Sequence, residues 1–110
     1  MATEQEAPFR EAYVEEVQRL IDDGHAVVDV RETWEYNNGH VPGARHVVLA
    51  ALLANPGGQR FDDGTIFVCE IGERSAVASE MAAALGVQNV INFRGGTKAW
   101  KDACLPMETP

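Results

Sequence analysis

The residues best placed to do chemistry are Cys69-Glu70-Ile71-Gly72-Glu73-Arg74-Ser75. The cysteine ends an apolar run, Thr65-Ile66-Phe67-Val68, that predicts a buried strand, and a helical pattern opens at Ser75. A thiol at such a joint sits over inward-pointing backbone N–H groups and the positive end of a helix. That setting favours the thiolate, the form that attacks electrophiles. Gly72 gives the loop access to positive φ, and Arg74 supplies a planar cationic fork for an oxyanion. A cysteine closing an apolar strand also has a plain reading as a small core residue. The Cys-x-x-Gly-x-Arg-Ser spacing favours the chemical reading.

Alternating elements must position this loop. Residues 11–22 carry a helical pattern, with Tyr13, Val17, Leu20 and Ile21 on one face and Glu11, Glu15, Glu16 and Arg19 on the other. Asp22-Asp23-Gly24 ends it. Residues 26–30 predict a strand whose apolar residues do not alternate, as in a parallel strand covered on both faces. A helix of one or two turns falls within 31–38, a Gly/Pro loop at 39–44, a short strand at 45–49 and a helical turn at 49–54. After the strand at 65–68, a helix spans 75–85 with Val77, Met81 and Leu85 as a stripe and Ala78 and Ala82 beside it. Gly86 ends that helix. Residues 87–93 carry another strand, 94–97 a turn, and 97–103 a last helix with Trp100 facing inward. This alternation predicts an α/β domain with a mainly parallel central sheet, in which ligands bind beyond the carboxyl ends of strands. Cys69 and Arg31 each lie just past such an end.

The chain has 110 residues, 45% of them apolar, which suits one folded domain with its own core. Residues 1–8 read as a disordered polar arm without a signal-peptide pattern, and 9–110 as the domain. A net charge of −8 argues against nucleic acid or an anionic membrane as a partner. No apolar run approaches the roughly 20 residues of a membrane span. Two cysteines give no disulfide framework, so a reducing, cytoplasmic setting with a free thiol is expected.

Several stretches resemble the rhodanese-homology signature. These are Asp29-Val30-Arg31-Glu32, then Glu35-Tyr36-Asn37-Asn38-Gly39-His40-Val41-Pro42-Gly43-Ala44, and the Cys69, Gly72, Arg74, Ser75 loop. Asn89-Val90, Gly95-Gly96-x-x-Ala99-Trp100 and Leu105-Pro106 follow in the same order. Together they resemble a single-domain rhodanese over residues 9–107.

The resemblance implies a three-layer α/β/α fold and a sulfurtransferase in which Cys69 carries sulfane sulfur as a persulfide. The donor would be thiosulfate or a protein or low-molecular-weight persulfide. The acceptor would be cyanide or a thiol, with a sulfur-carrier protein as a further partner. Backbone N–H groups of Glu70, Ile71, Gly72, Glu73, Arg74 and Ser75 would stabilise the charge, and Arg74 would shape the loop and bind donor oxygens. Asp29 and Arg31 would brace neighbouring loops, with Arg31 also shaping the electrostatics. No metal or organic cofactor is implied.

Two departures from the family pattern stand out. Glu70 and Glu73 make the loop acidic, with Arg74 leaving a formal sum of −1, which opposes an anionic donor if those side chains face the pocket. Cys104 stands where the family usually has glycine at a helix end. It reads as a tolerated substitution there, or as a resolving thiol if its Cα lies within about 7 Å of that of Cys69.

His40 in its Gly/Pro loop reads as a turn-packing residue rather than a general base, and His25 and His46 lack metal-site spacing. Trp34, Tyr36 and Trp100 read as core or pocket-rim aromatics, and Gly95-Gly96 as a close-packed turn rather than a phosphate loop. A non-catalytic binding module and a Cys-dependent phosphatase or arsenate reductase are the competing functions. The four residues between Cys69 and Arg74 are one fewer than phosphatase loops commonly need around a tetrahedral phosphate.

Overall fold

A computed structural model describes residues 8–110; residues 1–7 of the expected arm lie outside the described residues. Largely apolar runs form β2 (Val27–Asp29), β4 (Ile66–Val68) and β5 (Ile91–Phe93), in which every residue is buried, Asp29 and Asn92 included. Short strands β1 (Arg10–Ala12) and β3 (Arg45–His46) complete a sheet in the order β1-β5-β4-β2-β3. All its pairings are parallel. The helices are α1 (Val14–Asp22), α2 (Thr33–Asn37), α3 (Leu49–Ala54), α4 (Glu73–Ala84) and α5 (Gly96–Asp102).

The two-residue strand period divides the core into two clusters. Val27, Ile66, Val68, Ile91 and Phe93 pack with Val17 of α1 and Trp100 of α5. Val28, Val30, Phe67, Cys69 and Val90 pack with Leu52 of α3 and Ala78 and Ala82 of α4. The fold is therefore a three-layer α/β/α sandwich. Among the described residues, no helix is long and apolar enough to cross a membrane.

The N-terminal stretch departs from the periodicity. Arg10–Ala12 forms the edge strand β1 against β5, and α1 starts at Val14 rather than 11. A three-residue strand that buries only Ala12 has no readable period; its pairing partner lies far along the chain. Tyr13 precedes the helix and is 63% exposed, outside the face formed by Val17, Leu20 and Ile21.

The inner face of α4 is also different. Val77 and Leu85 are exposed, and the helix buries Ser75, Ala78, Ser79 and Ala82. Small side chains let the α4 backbone lie close to β4 and β5, where leucine or valine would hold it off. The serine hydroxyls are satisfied: Ser79 Oγ donates to Ser75 O at 2.8 Å, and Ser75 Oγ to Asn92 Oδ1.

Candidate active site

Parallel pairing carries the ends of β2 and β4 to the same edge of the sheet. Val30 N donates to Val68 O at 3.0 Å, so Arg31 and Cys69 leave the sheet side by side. Cys69 is only 1% exposed. Its Sγ accepts the backbone N–H of Gly72 at 3.2 Å and of Ser75 at 3.3 Å, and lies 3.3 Å from Ser75 Oγ. The Ser75 N–H belongs to the first turn of α4, which has no partners within the helix. Two N–H groups of the loop thus reach the resting sulfur. Gly72 makes the turn at φ +100°, in the left-handed region that favours glycine.

The N-terminus of α5 holds the other side of the loop. Thr97 N donates to Cys69 O at 2.8 Å and Lys98 N to Glu70 O at 3.0 Å. Gly96 allows this approach: a Cβ there would collide with the Cys69 and Glu70 carbonyl oxygens.

The two loop glutamates diverge. Glu73 is exposed in the first turn of α4, where its charge suits the helix dipole. Glu70 turns inward: Thr97 Oγ1 donates to its Oε1 at 2.8 Å, and Arg31 Nη1 stands 4.0 Å from that oxygen. Both line a pocket of about 320 Å³ beside the loop, whose other walls are Trp34, Glu35, Asn38 and Lys101. Trp34 is a rim residue at 68% exposure, and Ile71 also faces outward.

Arg31 and Asp29 form a buried pair. Arg31 donates from Nε and Nη2 to the Asp29 carboxylate at 2.8–3.0 Å, and its backbone N–H adds a further bond at 2.9 Å. Nη2 also reaches Gly39 O at 2.8 Å, tying β2 to the following loop. Both charges are thus hydrogen-bonded as burial requires.

Arg74 reaches away from the loop. Its two terminal nitrogens donate to Glu35 of α2 at 2.7 and 2.9 Å. Hydrogen bonds from Arg74, opposed in part by burial, hold Glu35 down to about 2, and the same pair pushes the Arg74 guanidinium up. Arg74 therefore braces α4 against α2 instead of offering its fork to a donor.

His40 and His46 stack on the two faces of Tyr36, with ring centroids 3.7 and 4.3 Å away. Tyr36 donates its hydroxyl to Ala44 O at 2.7 Å, so all three rings fasten the loop between α2 and β3. Trp100 is buried and donates to Pro106 O. No group of three or more His, Cys, Asp or Glu among the described residues could hold a metal ion. Cys104 is exposed with φ +59°, just past the end of α5. Cys104 thus lies past the far end of the helix whose N-terminus holds the Cys69 carbonyl.

Sequence reasoning did not single out Asn92, Thr97 or Glu11, and Glu35 entered only as part of a signature. A buried asparagine within Val90-Ile91-Asn92-Phe93 is a signal in itself, because an unpaired polar group there is costly. Glu35 sits three residues after Glu32, whose backbone N–H it accepts at 2.9 Å. Glu11 carries no local signal, since its partners are Asn92 and Arg94.

A five-strand parallel α/β domain with a buried thiol under a strand-to-helix loop is a recognisable class of domain. The chain belongs to the rhodanese-like domain family, whose model matches residues 13–103. It is 31% identical to the thiosulfate sulfurtransferase GlpE of Pseudomonas fluorescens over 101 residues, covering 92% of each chain. It is 30% identical to a putative thiosulfate sulfurtransferase of Haloferax volcanii, over 84% of this chain but only 44% of that longer protein. A rhodanese-related protein from Thermoplasma volcanium superposes with a TM-score of 0.81 at 25% identity, covering 92% of this chain and 99% of that one.

Proposed function

We propose that this domain is a sulfurtransferase that carries sulfane sulfur as a persulfide on Cys69. The observation that carries the reading is the Cys69 sulfur at the end of β4, receiving N–H bonds from Gly72 and Ser75. The Cys69 thiolate attacks the outer sulfur of a donor. A new S–S bond forms, the donor's own bond breaks, and its electron pair leaves with sulfite or with a thiolate. An acceptor thiolate or cyanide then attacks the outer sulfur of the persulfide, and Cys69 leaves as thiolate. One transfer is thereby split into two easier displacements.

Glu70 bears on the donor. Its carboxylate, fixed by Thr97 at the pocket wall, lies 4.0 Å from Arg31 and offsets that cation, so less positive charge is left for an anionic donor. This favours a neutral low-molecular-weight persulfide, or one on a carrier protein, over dianionic thiosulfate. A reducing, cytoplasmic setting suits both the thiol and such donors. The engagement of Arg74 by Glu35 leaves no loop arginine free for phosphate, which favours sulfur transfer over phosphatase chemistry.

The test is intact-mass and peptide spectrometry after donor treatment. Cys69 is expected to gain one sulfur atom, and Cys69→Ser to gain none at that position. Failure to load from thiosulfate and from persulfide donors alike would favour a non-catalytic binding role.

A further inference from the structure

We infer that Asn92 is a positioning residue that restrains ionisation of the Cys69 thiol, acting through the Ser75 hydroxyl. The inference rests on the reading of Cys69 as the nucleophile and begins from the direction of the hydrogen bonds. Asn92 is fully buried in β5. One end of its amide lies 3.1 Å from Gly72 O and 3.2 Å from Glu11 Oε2. A carbonyl and a carboxylate accept and do not donate, so that end is the amide nitrogen. The other end is the amide oxygen, and it faces Ser75 Oγ at 2.5 Å.

An amide oxygen cannot donate. Ser75 therefore gives its single hydroxyl hydrogen to Asn92 and turns only lone pairs toward the sulfur 3.3 Å away. The sulfur already accepts the N–H groups of Gly72 and Ser75. Every partner in this set is satisfied when the sulfur is protonated and donates to Ser75 Oγ. A thiolate in the same place meets a lone pair instead. It gains Ser75 as a donor only if the hydroxyl swings away from Asn92, which leaves a buried amide oxygen unpaired, and that is costly.

The amide is held in this sense by its neighbours. Glu11, which accepts from Asn92 Nδ2, is itself held by Arg94 Nη1 at 3.1 Å. The other charged groups nearby are Arg74 with Glu35, Arg31 with Asp29, Glu70 with Thr97, the exposed Glu73 and Lys101 on the pocket wall. None of them hydrogen-bonds the sulfur. The neutral hydroxyl–amide pair is the contact through which the sulfur's proton is held.

The experiment is the rate of Cys69 alkylation by iodoacetamide as a function of pH, read on the Cys69 peptide of the full chain. Asn92→Leu keeps the bulk, removes the acceptor and frees the Ser75 hydrogen for the thiolate. The midpoint of the rate profile is expected to move to lower pH, with Cys69 reacting about tenfold faster on the acidic side and the alkaline plateau unchanged. Adding Ser75→Ala to Asn92→Leu is expected to cancel the gain. If the leucine variant does not fold, Asn92→Ala reads the same change with a cavity in place of bulk. An unmoved midpoint in a folded variant overturns the inference, as does a gain that survives loss of the Ser75 hydroxyl. Alkylation reports on the thiol whether or not the domain transfers sulfur. Failure of this inference and failure to load sulfur are therefore separate results.

Discussion

Arg74 of the Cys69 loop gives both terminal nitrogens to Glu35 of α2, at 2.7 and 2.9 Å. The fork that a substrate oxyanion could have used is closed on a carboxylate of the protein. The pair also makes stability depend on pH. Glu35 titrates near 2 when folded, below its ordinary value of 4.5, chiefly because Arg74 donates to it. Its contribution is therefore fully present above about pH 4.5 and is lost as pH falls toward 2. Urea midpoints at pH 6 and pH 3 are expected to differ more for the wild type than for Glu35→Gln. The excess is on the order of 1 kcal/mol, since Arg74 is partly exposed and solvent weakens the pair. Equal losses in the two proteins would contradict this role.

Glu70→Gln separates charge from packing. A glutamine oxygen still accepts from Thr97 Oγ1, so the loop keeps its tie to α5. Removing the carboxylate from the pocket is expected to raise kcat/KM for thiosulfate about tenfold relative to a neutral persulfide. An unchanged ratio between the two donors would show that Glu70 serves α5 and not the donor.

The two glycines around the thiol are expected to differ in their tolerance of a methyl group. At Gly72 an added Cβ meets its neighbours at 3.5 Å, so alanine costs only the left-handed backbone, about 1 kcal/mol. At Gly96 the Cβ strikes the carbonyl oxygens of Cys69 and Glu70, and φ is also positive at +61°. Gly96→Ala is expected to cost about 3 kcal/mol and to lower sulfur loading of Cys69, as α5 is pushed off the loop. Thermal melts of both variants would settle the order.

Cys104→Gly is expected to stabilise the domain. Cys104 holds φ +59°, a region glycine enters without steric cost. Relief of that strain, less the entropy glycine gives up, leaves a gain of about 0.5–1 kcal/mol in urea titration. Sulfur loading of Cys69 is expected to stay the same. A variant that loads sulfur but no longer releases it would support the resolving-thiol reading.

The parallel sheet, and the nearness of Arg31 to Cys69, were legible because buried parallel strands leave dense apolar runs and their ends share an edge. The inner face of α4 was not, because hydrophobicity marks Val77 and Leu85 while the packing limit there is size. β1 was hidden for another reason: its strand character comes from β5 alone. The site divided in the same way. Cys69, Gly72 and Ser75 sit in one local motif and could be read together. The inward turn of Glu70 depends on Thr97, and the direction of the Ser75 hydroxyl on Asn92, partners that only the folded chain brings near.

The edge strand has a consequence for how the site comes into being. Glu11 reaches Asn92 across 81 residues of sequence, so the last partner of the Asn92 amide joins by closing nearly the whole chain into one loop. Contacts of such long range form late, because the entropy of closure comes before any reward. During synthesis, the ribosome must release β5 before β1 can dock on it. Cys69 emerges between the two with its own N–H partners close by in sequence, and only the Glu11 bond to the Asn92 amide waits until the ends of the domain meet. The outermost bond of the network beside the thiol is thereby tied to the completion of folding, when the first and last strands have found each other.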